Sequence, residues 1–273
     1  MQLLLHYPKS CGKLKRKRSI AMKERIETIP VTEAFQSGDE CPFCFLERQV
    51  EQRIIRYTIG PGASYMEPEV RGETDKQGFC GEHFKKMYDY GNALGNALIM
   101  QTYFVGLFEE MTYEMDRFTP PGKRNLFGKR ASDEESNLVK WIRKKQGSCY
   151  LCNKMEYNMS RYFETFFVLI KDAEFRKLVE DSKGFCMRHF LRLMETAPDK
   201  LPNSQLDWFY PTVFHLMKAN MARVKGDLDW FIDKFDYRNA SADWKNSKDA
   251  VSRTMQKFQG LHPADPPYKS EPR

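Results

Sequence analysis

The sequence contains no long hydrophobic run. Its longest uninterrupted apolar stretch is the five residues from Phe166 to Ile170, whereas a membrane-spanning helix needs about 20. We therefore expect no transmembrane segment and no membrane partner. Apolar residues are nevertheless plentiful, since 41% of the 273 residues are hydrophobic and 30% are charged. This balance predicts a folded globular protein and excludes a disordered one.

Acidic residues are absent from the first 21 positions, which hold six basic residues. The other 38 basic and 37 acidic residues leave positions 22–273 with a net charge of +1, out of +7 for the whole chain. This near-neutral body argues against a nucleic-acid partner. Three leucines, Leu3 to Leu5, precede the basic residues, which is the reverse of the order in a secretory signal. We therefore expect a cytoplasmic protein.

The sequence contains an internal repeat. The segment GFCGEHF at positions 78–84 recurs as GFCMRHF at 184–190, with five of seven residues identical. Each copy follows a CxxC pair, which gives the two patterns C-x2-C-x35-C-x2-H and C-x2-C-x33-C-x2-H. A motif set that recurs in the same order indicates a tandem duplication.

Hydrophobic residues at helical spacing follow each CxxC pair. The first stripe ends before Gly60 and consists of Leu46, Val50, Ile54 and Tyr57. The second stripe consists of Met155, Met159, Tyr162, Phe163, Phe166 and Ile170. Both stripes predict a helix that begins near the cysteines.

A long helical pattern also follows each CxxH pair. The first runs from 84 to about 115, and the second runs from 190 to 194 and again from about 206 to 235. Pro198 and Pro202 interrupt the second pattern. The predicted fold is therefore all-α, with two tandem related helical repeats packed as one pseudo-symmetric body.

Composition and the repeat divide the chain into five parts. The predicted parts are a basic N-terminal extension at 1–21, the first repeat at 22–118, a basic linker at 119–140, the second repeat at 141–238, and a C-terminal segment and tail at 239–273. We interpret residues 1–21 as sequence upstream of a natural start at Met22. A basic arm that contacts nucleic acid or anionic lipid is the alternative interpretation.

Each repeat supplies three cysteines and one histidine, the Cys3His set that tetrahedral zinc prefers in structural sites. The predicted ligands are Cys41, Cys44, Cys80 and His83 in the first repeat and Cys149, Cys152, Cys186 and His189 in the second. Residues three apart lie on one side of a helical turn, so each pair can form one edge of a tetrahedron. We expect one zinc site in each repeat, while spacing alone leaves pairing across the repeats open. An iron–sulfur cluster is the alternative cofactor.

Other cysteine chemistry fits the pattern less well. No CxxCH motif supports covalent haem attachment, and disulfides are rare in the reducing compartment expected for this chain. Thiol redox chemistry without a metal stays open. Four protein ligands leave no open position for catalytic zinc, and Glu82, beside His83, is replaced by Arg188 in the second copy. We therefore predict no catalytic residue.

Several segments together resemble a known family. They are MKERIETIPVTEAF at 22–35, CPFC at 41–44, YMEPEVR at 65–71, GFCGEHF at 78–84, GFCMRHF at 184–190 and LDWFIDKFDYR at 228–238. They resemble an uncharacterised bacterial domain of unknown function, of the variety found in anaerobic Firmicutes, over residues 22 to about 260. The resemblance implies the duplicated cysteine and histidine positions but brings no activity, substrate or catalytic residue.

These observations predict a cytoplasmic, non-enzymatic protein that binds zinc in two structural Cys3His sites. It is expected to act through an interaction surface on an unknown protein partner. The first alternative is an iron–sulfur or thiol-based redox sensor or electron carrier. The second alternative is a nucleic-acid-binding module, which would bind in a salt-sensitive way even without residues 1–21. The sequence leaves the oligomeric state open.

Overall fold

The computed structural model describes residues 28–120, 135–260 and His262. Within these residues every regular element is helical and no β-strand occurs, which confirms the all-α prediction. None of the helices in these ranges is long and apolar enough to cross a lipid bilayer. The predicted extension at 1–21, most of the linker at 119–140 and most of the tail after 260 lie outside the described residues.

The helices follow in the same order in the two repeats. The first repeat contains, within the described residues, α1 (Ile29–Gln36), α2 (Pro42–Ile59), α3 (Pro68–Gln77), α4 (Gly81–Tyr90) and α5 (Ala93–Asp116). The second contains α6 (Asn137–Gln146), α7 (Tyr150–Leu169), α8 (Ala173–Glu180), α9 (Met187–Lys200) and α10 (Asn203–Asp233), and α11 (Ala250–Gln259) follows it. In both repeats a long helix follows CxxC, and then come a short helix, a helix that starts at CxxH and a long last helix. A pseudo-symmetric arrangement of the repeats stays a prediction.

Each cysteine motif occupies the start of a helix. The first cysteine of every motif is the N-cap residue, with extended backbone angles. These N-cap residues are Cys41, Cys80, Cys149 and Cys186. The second residue of each motif comes three positions later, within the first turn, so the two side chains project to the same side. The positive end of the helix dipole also favours a thiolate at this position.

A glycine with a positive φ angle precedes both helices that start at CxxH. The φ angles are 61° at Gly78 and 74° at Gly184, values that L side chains rarely adopt. At Gly78 an added Cβ would also lie 2.5 Å from the hydroxyl oxygen of Tyr103. The glycine of each GFC segment is therefore required for the sharp entry of the chain into the helix.

The helix boundaries differ from the sequence expectation in three places. The expected single helix from 84 to about 115 is two helices, because Gly91 adopts a φ of 93° at the end of α4 and Asn92 caps α5. Pro198 does not interrupt α9, which continues to Lys200. The α6 helix begins at Asn137, inside the region expected to be the linker.

The hydrophobic core forms around α2 and α7, the two helices that follow the CxxC pairs. Phe43 of α2 stacks on Phe163 of α7 with ring centroids 4.0 Å apart. Phe166 of α7 contacts Phe35 of α1 and Phe175 of α8, with centroids 5.6 and 6.1 Å apart. Because these rings come from both repeats, the two repeats share one core.

Replacing Phe166, which is 0% exposed, tests this core. We expect Phe166→Ala to lower the free energy of unfolding by about 3–5 kcal/mol, because the substitution removes a buried ring and leaves a cavity. The measurement is a denaturant titration followed by circular dichroism. Val168→Ala is the control, since Val168 lies on the same helix and is 60% exposed, and its effect should stay within about 0.5 kcal/mol. Equal losses in the two variants would contradict the assigned core.

Candidate metal centre

All eight predicted ligands come together in two clusters of four. Site 1 contains Cys41, Cys44, Cys186 and His189, and site 2 contains Cys80, His83, Cys149 and Cys152. In each site one donor atom from every residue lies within 4.8 Å of the other three donor atoms. The described part of the chain contains no further group of three or more Cys, His, Asp or Glu residues arranged in this way.

The expectation that each repeat holds its own site is wrong. Each site combines the CxxC pair of one repeat with the CxxH pair of the other. Aromatic packing explains the exchange, because the ring inside each CxxC contacts the ring of the GFC segment in the other repeat. Phe43 lies 5.9 Å from Phe185, and Tyr150 lies 6.2 Å from Phe79, between ring centroids. Burying these rings places each CxxC turn against the CxxH turn of the other repeat.

The backbone reinforces the same pairing at site 2. The N–H of Tyr150, directly after Cys149, donates a hydrogen bond to the carbonyl of Gly78, at 2.9 Å. Gly78 lies two residues before Cys80, so this bond joins the segments that carry the two halves of the site.

The distances within each site fit one tetrahedral ion. Zinc lies about 2.3 Å from a thiolate sulfur and about 2.0–2.1 Å from an imidazole nitrogen, so a regular tetrahedron separates sulfur from nitrogen by about 3.6 Å and two sulfurs by about 3.8 Å. In site 1 the three sulfurs lie 3.2–3.4 Å from the histidine Nδ1, and the sulfurs of Cys44 and Cys186 are 3.6 Å apart. In site 2 the sulfurs lie 3.2–3.3 Å from Nδ1, and those of Cys80 and Cys152 are 3.9 Å apart. These distances are within a few tenths of an ångström of the spacing that one ion requires, and the remaining donor pairs lie within 4.8 Å.

Both histidines direct Nδ1 to the sulfurs and Nε2 to a carboxylate of α2. His83 Nε2 lies 3.2 Å from Glu51 Oε1, and His189 Nε2 lies 3.8 Å from Glu47 Oε2. A carboxylate behind a ligating imidazole fixes the orientation and tautomer of the ring and makes it a stronger ligand. One helix therefore supplies a CxxC pair to site 1 and a supporting carboxylate to each site.

Each of these carboxylates has a basic partner from the neighbouring CxxH helix. Lys86 Nζ of α4 lies 2.6 Å from Glu51, and the Arg188 guanidinium of α9 contacts both oxygens of Glu47. The cations balance the negative charge of the carboxylates in a partly dehydrated position. Burial acts to raise the pKa of Glu51, but its hydrogen bonds to His83 and Lys86 outweigh burial and lower it below its usual value.

Each site contains one thiol with a lowered pKa and one with a raised pKa. Hydrogen bonds with Cys186 and Cys41 raise the pKa of Cys44, and burial raises the pKa of Cys152. Burial alone would raise the pKa of Cys149, but its hydrogen bonds with His83 and with backbone N–H groups lower it to about 6. Burial likewise acts to lower the pKa of His83, but the hydrogen bonds to Cys149 and Glu51 raise it to about 10. In site 1, hydrogen bonds from Cys41 and Cys44 lower the pKa of Cys186. The thiolate is the form that binds metal ions, and His83 has to release its proton when it becomes a ligand.

A family model matches residues 22–265, a range that includes both sites and all the described helices. The chain belongs to the family of unknown function DUF6062. This match confirms the prediction of an uncharacterised domain family, while its bacterial distribution stays a prediction. The chain matches no curated protein and no solved structure.

Two residues of the centre of this DUF6062 chain, Glu47 and Glu51, were not predicted from the sequence. They follow Cys44 by three and seven positions, which places them on the same side of α2 as the CxxC pair. That spacing is also common on solvated helix faces, so it carries little information by itself. The stronger signal is structural: Glu51 is only 7% exposed, and a buried glutamate requires a partner.

Paired substitutions distinguish exchange between the repeats from pairing within them. We expect Cys41→Ser/Cys186→Ser to retain one metal ion per chain, because both residues belong to site 1 and site 2 is left complete. Cys41→Ser/Cys80→Ser should retain none, because it removes a ligand from each site. Metal content per chain, measured by elemental analysis after gel filtration, gives the answer. Ligand sets confined to one repeat would produce the reverse result.

Proposed function

We propose that this chain is a zinc-binding protein whose two Cys3His sites serve its structure. The observation that carries the proposal is the convergence, twice in one chain, of three thiols and one imidazole at tetrahedral spacing. Thiolate and imidazole are the ligands that zinc prefers, whereas magnesium and calcium take oxygen ligands. The chemistry of the donor set thus supports zinc.

The spacing of the donors supports a single ion over an iron–sulfur cluster. A cluster holds several irons and bridging sulfides between its ligands, and it therefore spreads the protein donors apart. The donors of each site lie within 4.8 Å of one another, which leaves room for one ion only. A single iron would fit the same spacing, so the metal content has to be measured.

Two features support a structural role over catalysis. Four protein ligands complete the coordination of zinc and leave no position for a substrate or an activated water. In site 1 all four residues are also buried, with exposed fractions of 4% or less. A catalytic zinc requires the opposite arrangement, with an open position that faces solvent.

In this role the ions join the two repeats. Each site takes two ligands from each repeat, so losing an ion breaks a connection between them. Zinc binds finger peptides with about 10–16 kcal/mol, which rivals the net stability of about 5–15 kcal/mol of a typical domain. The sites therefore contribute to the fold on the same scale as the hydrophobic core.

The nucleic-acid alternative rests on the basic residues of 1–21 and of the linker, most of which lie outside the described residues. Within the described part, the cleft between the two sites is lined by residues of both charges. A mixed lining of this kind does not favour a polyanion. We therefore keep the non-enzymatic metal-binding function as the proposal.

Metal content and colour test the proposed function. We expect the full chain, purified anaerobically, to contain about two zinc ions and to show no visible absorption. The Cys41→Ser/Cys80→Ser variant, prepared in parallel, is the matched control and should contain none. Iron with sulfide and visible absorption would overturn the proposal in favour of a redox protein. A folded chain without metal would overturn it altogether.

An interaction surface is the second part of the proposal, and α5 offers one. Met100, Phe104, Phe108, Met111 and Met115 follow one another at spacings of four, four, three and four residues, which places them on one face of the helix. Phe104, Phe108 and Met115 are 64%, 54% and 56% exposed. Ile99, which packs into the core, projects from a different side. The stripe is therefore an apolar face on which three side chains are more than half exposed.

We infer that a second copy of this chain covers the stripe. Half-exposed phenylalanine and methionine side chains present roughly 100 Å² each, so the stripe offers roughly 500 Å² per copy. Two copies related by a two-fold axis would bury about 1,000 Å² in total, which is the lower limit for a specific interface. Residues 93–108 contain no Asp, Glu, Lys or Arg, so this part of the contact needs no buried charge. An interface of this size predicts a weak, concentration-dependent dimer.

Light scattering coupled to gel filtration, over a range of concentrations, tests the dimer. The unmodified chain should approach twice the monomer mass as its concentration rises, and Phe104→Glu/Phe108→Glu should stay monomeric, because dimerisation would bury two unpaired charges per copy. Tyr237→Glu is the control, because Tyr237 is 86% exposed and lies outside α5. A chain that is monomeric at its highest soluble concentration, or a dimer that the double variant preserves, would overturn the assignment of this face.

A further inference from the structure

The two sites differ in their exposure although they are built from the same motifs. In site 1, Cys44 is 1% exposed. Cys152 occupies the same position in the second CxxC pair but is exposed, and Cys80 of site 2 is partly exposed. Cys149 and His83 are buried at 4%. Site 2 thus has two sulfurs that solvent reaches, whereas site 1 has none.

The segment that covers site 1 explains this difference. The α11 helix packs against α9 and α10, and an added Cβ at Gly260, directly after α11, would lie 3.2 Å from the sulfur of Cys186. Lys257 of α11 donates hydrogen bonds to the carbonyls of Glu40 (2.5 Å) and Lys183 (2.6 Å), which lie beside the two halves of site 1. No described element covers Cys152 in the same way.

Cys152 also opens into a cleft. The cleft has a volume of about 860 Å³ and lies between α2, α4, α7 and α9. Cys152, His83 and Met155 contribute to its wall. A small reagent in solution therefore reaches the sulfur of Cys152 without any movement of the helices.

The geometry points to site 2 as a thiol-modification site, at which a hydroperoxide oxidises Cys152 and joins it to Cys80. This inference rests on the proposed zinc-binding function. The two sulfurs are the exposed ones of the site and lie 3.9 Å apart. They come from different repeats, so their disulfide would be a covalent link in place of a metal-mediated one.

The chemistry has two steps, and hydrogen peroxide is the oxidant. The thiolate sulfur of Cys152 attacks one peroxide oxygen, an S–O bond forms, the O–O bond breaks, and the leaving hydroxide takes up a proton to become water. The thiolate sulfur of Cys80 then attacks the resulting sulfenic acid, an S–S bond forms, and a second hydroxide leaves and is protonated. Two thiolates are oxidised by two electrons in total, and one peroxide with two protons becomes two waters. Site 2 then lacks two of its four ligands and releases its ion, while site 1 keeps all of its ligands.

Peroxide treatment of the zinc-loaded full chain tests this inference, with a colorimetric zinc chelator and mass spectrometry of alkylated peptides as readouts. We expect release of half of the bound zinc, together with a disulfide-linked peptide pair that contains Cys80 and Cys152. The thiols of site 1 should remain reduced. Release of both ions at equal rates, release from site 1 first, or no release would overturn the inference.

Matched positions in the two CxxC pairs supply the controls. In the untreated, zinc-loaded chain, N-ethylmaleimide should label Cys152 at least about tenfold faster than Cys44, because thiol reactivity follows access. Cys152→His keeps four ligands but removes the exposed thiol, so it should retain its zinc under peroxide. Val168→Ala, at an exposed position outside both sites, should respond like the unmodified chain. If Cys152→His does not bind zinc, the labelling rates of Cys152 and Cys44 in the unmodified chain test the inference. Equal rates would overturn it. Metal content before treatment separates the two proposals, since a chain without zinc overturns the proposed function and this inference together.

Discussion

Two clusters of converging sulfurs, each shared between the two repeats, constrain the whole structure. Every cluster brings together three thiols and the N-termini of two helices. The helix dipoles favour thiolates, but three thiolates within a few ångströms repel one another unless a cation lies between them. Because the two halves of each cluster come from different repeats, neither repeat can assemble a site alone. The same arrangement that offers four ligands to a metal ion therefore also joins the two repeats.

The α2 helix links the core to both sites. It carries Phe43, which stacks on Phe163 in the core, and the CxxC pair of site 1. Its next two turns carry Glu47 and Glu51, which support the histidines of site 1 and site 2. A shift of α2 would therefore disturb the core packing and both sets of ligands together, since packed helices move as rigid units.

The two repeats retain the same ligands but surround them differently. The positions of the second CxxC helix that match Glu47 and Glu51 are Met155 and Met159, so α7 has no carboxylate at either of the two positions. Among the described residues, α11 follows the second repeat and packs against α9 at site 1. Two sites built from the same sequence motifs thus differ in exposure, one being enclosed and the other accessible. Such a difference is what allows two copies of a motif to take separate roles.

The local sequence by itself determined which side chains are the candidate metal ligands and which helices carry them. The CxxC and CxxH spacings place each pair of ligands on one helical turn, and the hydrophobic stripes after them predict α2 and α7 to within a few residues. These features depend on residues a few positions apart, so the spacing of residues in the sequence is enough to predict them. The break between α4 and α5 was missed because it depends on the positive φ of Gly91, which a helical pattern does not reveal.

Only the tertiary structure decided which pairs meet, which carboxylates support them and which sulfurs face solvent. The spacers of 33 and 35 residues are flexible enough in principle for either pairing, since the entropy of closing a loop changes little with its length. The choice is made instead by the burial of Phe43 against Phe185 and of Tyr150 against Phe79. These contacts join residues more than 70 positions apart. Contacts between segments that lie far apart in the sequence cannot be predicted from one sequence without its fold.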